Sequence, residues 1–81
     1  MKLAYSERFL EALADAPSAV QQAFYKQARF LEQDLRHPSL RAKKYEEARR
    51  IWQARVNKDW RFYFTIEKDI YRLQAITSHP K

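Results

Sequence analysis

Cysteine is absent from this 81-residue chain. That removes a disulfide framework, a thiol nucleophile and a Cys-ligated zinc site, and makes an intracellular setting the simpler expectation. Histidine is scarce, and the two present, His37 and His79, are too few for an ordinary metal site; no metal or other cofactor is expected. Long apolar runs are missing as well. The opening "MKLAYSERFLEALADA" carries charges inside its apolar pattern, so neither a signal peptide nor a membrane span is supported. The default is a soluble, cytoplasmic protein with no membrane partner. No repeat, low-complexity tract or interdomain linker divides the chain, and its length suits one domain, 1–81, rather than two.

What is present is aromatic and basic. Two Trp, five Tyr and five Phe make up 15% of the residues, the kind of large side chain that a small domain needs to build a dense core. Sixteen Lys and Arg against ten Asp and Glu leave a formal charge of +6 and a pI near 9.8. Such an excess on a small body favours an anionic partner through its summed field. A merely solvated basic surface has the same composition, so position has to decide between them.

The pattern along the chain begins with "KLAY", short enough for an N-terminal strand. Ser6 offers an N-cap ahead of "ERFLEALA", whose Phe9, Leu10 and Leu13 lie on one helical side. Pro17 sits where a second helix can begin, and Val20, Phe24, Leu31 and Leu35 recur at helical spacing with Ala23 and Ala28 beside them. That helix should stop near Arg36, because Pro38 disfavours helical geometry in the residue before it. The segment "SLRAKKYEEARR", 39–50, is too polar to be core and reads as loop, helical turn or both. Beyond it the period changes to two, and "IWQARV", "WRFYFTI" and "YRLQAIT" form three successive strands. The expectation is an α+β domain of order β-α-α-β-β-β, a small antiparallel sheet packed against two N-terminal helices.

Registering the first hairpin on its apolar residues puts Trp52, Ala54 and Val56 on the buried face with Trp60, Phe62 and Phe64. The other face then pairs Gln53 with Tyr63 and Arg55 with Arg61. Like charges directly opposite are normally destabilising, which marks the arginine pair as a candidate clamp for phosphate. In the second hairpin, pairing Phe64 with Leu73 and Phe62 with Ala75 leaves a turn from Glu67 to Ile70. It adds Arg72, Gln74 and Ile76 to the cationic face. Strict alternation sends position 79 to the face of Leu73, away from Arg61, unless a bulge or the strand end near Ser78 turns it. Trp60 belongs to the core. Tyr63 can stack on a base or pack across strands.

Together with the element order, the motifs "HPSLRAKKY", "WQARVNKDWRFYF" and "ITSHPK" resemble the RelE/ParE superfamily of bacterial type II toxins. The resemblance covers nearly the whole chain. It implies a small twisted antiparallel sheet on two helices and, in many members, a metal-independent endoribonuclease that cuts mRNA in the ribosomal decoding site and is restrained by a cognate antitoxin. The ParE branch has a similar fold and targets DNA gyrase. By resemblance Arg61 holds the scissile phosphate, His79 is the general acid, Asp59 and Trp60 match an Asp-Trp pair of YafQ-like members, and Arg41, Lys43 and Lys44 fall in a basic loop. Glu46, Glu47 and Asp59 are the candidate general bases. Family glycines before the meander are missing, and "YEEARRIW" stands in their place.

The chemistry agrees with those residue types. Metal-free RNA cleavage needs a base for the 2′-hydroxyl, an acid for the leaving 5′-oxygen and cations where phosphate charge builds up. Histidine titrates near neutrality, and arginine presents a fork of donors to phosphate oxygens. Arg55 joins Arg61 in the clamp; Arg41, Lys43, Lys44, Arg49, Arg50, Tyr63 and Arg72 are candidate RNA contacts, though solvated charges look the same. His37, beside Pro38, reads as a helix-end residue outside the site. The expected function is a ribosome-dependent mRNA endoribonuclease toxin, with mRNA on the ribosome, ribosomal RNA and an antitoxin as partners. The alternatives are a ParE-like gyrase inhibitor and a catalytically silent antitoxin-binding module.

Overall fold

Ser6 does cap the first helix: its hydroxyl accepts a 3.0 Å hydrogen bond from the Phe9 amide, satisfying one of the donors that a helix start leaves open. In the computed structural model, which describes residues 2–78, the chain runs β1 (Lys2–Tyr5), α1 (Glu7–Asp15), α2 (Ser18–Gln33), a 3₁₀ turn (Pro38–Leu40), β2 (Lys43–Glu46), β3 (Ile51–Arg55), β4 (Trp60–Glu67) and β5 (Ile70–Ser78). The five strands form one sheet in the order β1-β5-β4-β3-β2. β1 runs parallel to β5, pairing Lys2 with Ile70 and Tyr5 with Leu73; the other pairs are antiparallel. The α+β architecture is as expected from the sequence. The sheet is mixed and has one strand more.

The core lies between the two helices and one face of the sheet. Phe9, Phe24, Phe62 and Phe64 are fully buried with Leu31, Leu40 and Leu73. Phe24 is its hub, with ring centroids 5.2 Å from Phe9 and 5.3 Å from Phe62, the latter edge to face. Leu10 departs from expectation: it is 48% exposed, and only Phe9 and Leu13 of α1 are buried. α2 ends at Gln33, three residues before the expected stop. Asp34 caps it in an extended conformation, and its carboxylate accepts the Arg36 amide at 2.9 Å, so a side-chain turn ends the helix before Pro38 has to.

The segment 39–50 is the main correction. It contains Leu40, which is wholly buried, and it supplies the edge strand β2 beside β3. Alternation in β2 divides the lysine pair. Lys43 lies opposite Gln53, while Lys44 lies opposite Trp52 on the other face, its Nζ 5.7 Å from the indole centroid. A bulge between Lys44 and Glu46 sets Tyr45 out of register.

The β3–β4 hairpin has the expected register, with Gln53 on Tyr63 and Arg55 on Arg61. The β4–β5 hairpin keeps Phe64 on Leu73 and the Glu67–Ile70 turn. It then slips at Gln74: Tyr63 pairs with Ala75 and Phe62 with Ile76. Ile76 therefore enters the core, 4% exposed, rather than joining the cationic face. Past the bulge, Ala75 and Thr77 share the face of Tyr63 and Arg61. His79, the expected general acid, lies outside the described residues.

With no glycine in the chain, left-handed backbone falls to Arg41 (φ 46°), Arg50 (φ 55°) and Lys68 (φ 55°). Each carries a Cβ that this region disfavours. Among the described residues, no helix is long and apolar enough to cross a membrane.

Candidate nucleic-acid interface

Both helices cover one face of the sheet, and the other face is open. At the end of that face where β3 and β4 turn, a cleft of about 330 Å³ is lined by Arg41, Lys43, Gln53, Arg55 and Arg61. Four of these five are cations, and no described carboxylate pairs with any of them. Three local causes place the four cations. Arg41 ends the 3₁₀ turn in a left-handed conformation; Lys43 is placed by alternation in β2; Arg55 and Arg61 are set opposite each other by the apolar register of the hairpin.

The two apposed guanidinium groups are not equivalent. Arg61 bends to the turn, where its Nη1 donates to the carbonyl oxygens of Asn57 at 2.7 Å, Trp60 at 2.9 Å and Lys58 at 3.3 Å. Its charge is thus partly met by carbonyl dipoles, which offsets the repulsion from Arg55. Asn57 stiffens the same turn by accepting the Asp59 and Trp60 amides on its Oδ1. Arg55 has no side-chain hydrogen bond or ion pair among the described residues, and it is the freer of the two.

Behind the cleft, Gln27 of α2 fixes the frame. It is 6% exposed; its Nε2 donates to the Arg55 carbonyl at 2.8 Å and the Ser39 carbonyl at 2.9 Å, and its Oε1 accepts the Ser39 hydroxyl at 3.2 Å. One buried amide thus ties the helix to both the β3 end and the turn that carries Arg41. His37 completes that turn. Its Nδ1 accepts the Ser39 amide, and its ring stacks on Phe30 at 3.8 Å. It belongs to the helix end, as expected.

The remaining predicted contacts lie elsewhere. Glu46 sits opposite Ile51, four residues along β3 from Arg55, about 13 Å at the usual strand rise. There it grips Arg49 at 2.7 Å, a hydrogen bond that raises the guanidinium pKa above its ordinary value. Glu47 lies 3.9 Å from Lys44, and Glu67 holds Arg72 at 2.9 Å. The structure therefore does not bring Glu46 or Glu47 to the arginine clamp, nor Lys44, Arg49, Arg50 or Arg72 to the cleft lining. Asp59 is in the β3–β4 turn next to Arg61 without lining the cleft.

Tyr63 is half-buried; its hydroxyl accepts from Gln53 at 3.0 Å, and its ring meets Tyr45 edge to face at 5.0 Å. Those are cross-strand packing contacts. Tyr45, 57% exposed, is the aromatic left open to a ligand, and sequence reading passes it over together with the lining role of Gln53. The signal was the alternation Arg41, Lys43, Tyr45 inside a segment that composition marks as loop.

No protein-family model and no curated protein matches this chain in sequence. Solved structures do match it in fold. RelE from the archaeal RelE–RelB complex of Pyrococcus horikoshii superposes with a TM-score of 0.81 at 15% identity, over 99% of this chain and 96% of that one. A YoeB/ParE toxin from Agrobacterium tumefaciens gives 0.79 at 10% identity, over 99% and 100%. YoeB from the YoeB–YefM complex of Staphylococcus aureus gives 0.76 at 10% identity, over 96% and 95%. The fold is that of the RelE and YoeB toxins.

Proposed function

We propose that this chain is the toxin of a type II toxin–antitoxin pair and cleaves mRNA on the ribosome by metal-independent acid–base chemistry. The observation that carries this reading is the cleft: Arg41, Lys43, Arg55 and Arg61 converge on one concave spot without a described carboxylate among them. Cations held together without counter-charge are costly in the empty protein and are satisfied by a phosphate. Arg61, braced by three carbonyls, presents the rest of its guanidinium to a scissile phosphate as charge builds there. Arg55 is its partner in the clamp. His79 is the acid for the 5′-oxygen. Of the three candidate bases, Asp59 is the one at the arginine end of the sheet, whereas Glu46 and Glu47 are engaged by Arg49 and Lys44.

An antitoxin is part of the reading, since RelE of P. horikoshii was solved with RelB and YoeB of S. aureus with YefM. An acidic segment wrapping the cationic face would restrain the protein. The setting implied is cytoplasmic.

A ParE-like gyrase inhibitor is the second reading, favoured by one observation: Glu46 and Glu47, two of the three candidate bases, are held by Arg49 and Lys44 away from the cleft. His79→Gln separates the two. It should abolish ribosome-dependent mRNA cleavage and growth inhibition while antitoxin binding persists, and chelators should not affect the wild type. Undiminished toxicity in the variant, with DNA-damage signalling and intact mRNA, selects the gyrase reading.

A further inference from the structure

The cleft does not end at Arg55. On the other side of Arg41 and Arg55 a second, open groove of about 590 Å³ runs over the end of β3 toward α2, lined by Lys26, Gln27, Ser39 and Asn57 as well as by the two arginines. Arg41 and Arg55 thus form a ridge with a cationic hollow on each side. Lys26 is exposed on α2, and neither it nor the arginines has a carboxylate partner among the described residues. Asn57 uses its Oδ1 on the Asp59 and Trp60 amides, which leaves its NH2 group as a donor without a partner among the described residues. The floor offers no competing negative charge: Gln27 spends its amide on the Ser39 and Arg55 carbonyls.

Resting on the RNA reading above, we propose that this groove is a second phosphate subsite that takes the phosphodiester next to the one held in the cleft, so that a single RNA strand crosses the Arg41–Arg55 ridge. Lys26 supplies the charge and Asn57 the neutral donor; both contact the sugar-phosphate backbone and neither reads a base. Gln27 positions the site, because its two carbonyl bonds set the distance between the ridge arginines and the helix that carries Lys26. The volume lies within the range of about 300–1,000 Å³ typical of ligand sites, and continuity with the cleft makes a strand, rather than an isolated anion, the fitting occupant.

The test compares a dinucleotide, which has one phosphodiester, with a hexanucleotide, both 2′-O-methylated against cleavage, by titration of the whole protein. Lys26→Ala should weaken the hexanucleotide about three- to tenfold and Lys26→Glu further, with the dinucleotide unchanged. The slope of log affinity against log salt for the hexanucleotide should shrink by roughly 0.7, the value of one single-strand phosphate contact. Wild-type affinity of Lys26→Glu for the hexanucleotide, or equal loss on both ligands, overturns the subsite while leaving the cleft intact. A wild-type protein that binds neither oligonucleotide overturns the RNA reading and the subsite with it. Lys26 is exposed, so an unchanged melting temperature verifies that the variants fold.

Discussion

Two groups of Lys and Arg differ in what their cations touch. At the end where β3 and β4 turn, Arg41, Lys43, Arg55 and Arg61 have no carboxylate partner among the described residues. Away from that end, Arg49 and Arg72, and Lys44 on the other face, are engaged by Glu46, Glu67 and Glu47. Net charge counts both groups alike. The end where four cations stand together without a carboxylate keeps the stronger field to offer a polyanion, so the pairing, rather than the number of cations, marks it as the candidate site.

That comparison breaks most visibly at Arg61. Arg61→Ala should lower cleavage at least a hundredfold, in line with about 3 kcal/mol of barrier for one group that stabilises developing charge. Normal single-turnover cleavage would end the clamp. The register alone suggests that removing either apposed arginine leaves stability equal or raised, but the three carbonyl bonds reverse this for Arg61. Its loss should cost about 1 kcal/mol in a thermal melt.

Arg55→Ala comes next, with about a tenfold loss of cleavage. Here the melt should stay level or rise by up to about 1 kcal/mol, because no bond is lost and a like-charge pair is relieved. Opposite signs for the two stability changes would establish that the arginines divide the work; equal losses would mean that Arg55 has a structural partner. In the paired group, Arg72→Ala should change cleavage less than threefold and stability by less than about 1 kcal/mol. A tenfold loss there would erase the distinction between the groups. The smallest effect is expected at Lys68→Gly, which relieves a left-handed residue in the β4–β5 turn. It should raise stability by about 0.5–1 kcal/mol without altering RNA affinity.

Local rules carried most of the fold. The Ser6 cap, the apolar spacing of Val20, Phe24 and Leu31 and the β3–β4 register follow from nearest-neighbour chemistry, and each is present. β2 was illegible because an edge strand with one polar face and lysines on both sides has the composition of a loop; its strand character comes from β3 beside it. The bulge at Gln74 was hidden because "LQAI" fits two registers, and the deciding term is burial of Ile76 against Phe62, which periodicity does not contain. The candidate cleft was legible in its residue types and only half so in which residues line it. Arg55 and Arg61 follow from the hairpin register, whereas the neutralisation of Arg49, Lys44 and Arg72 depends on where three glutamates fall in space.

The parallel pairing of Lys2 with Ile70 joins segments from opposite ends of the described chain. During synthesis β1 is made before both helices and every other described strand, yet its neighbour in the described sheet, β5, follows all of them. The β2–β4 meander can form while β5 is still being translated, but until then β1 has no strand to dock on, and the helix face lacks Tyr71, Leu73 and Ile76 beneath it. Non-local closure of this kind is slow compared with hairpin formation. A nascent chain therefore carries the arginine hairpin early and a completed body late. The interval between them is a window in which a chaperone or a partner emerging nearby meets the protein before its sheet has closed.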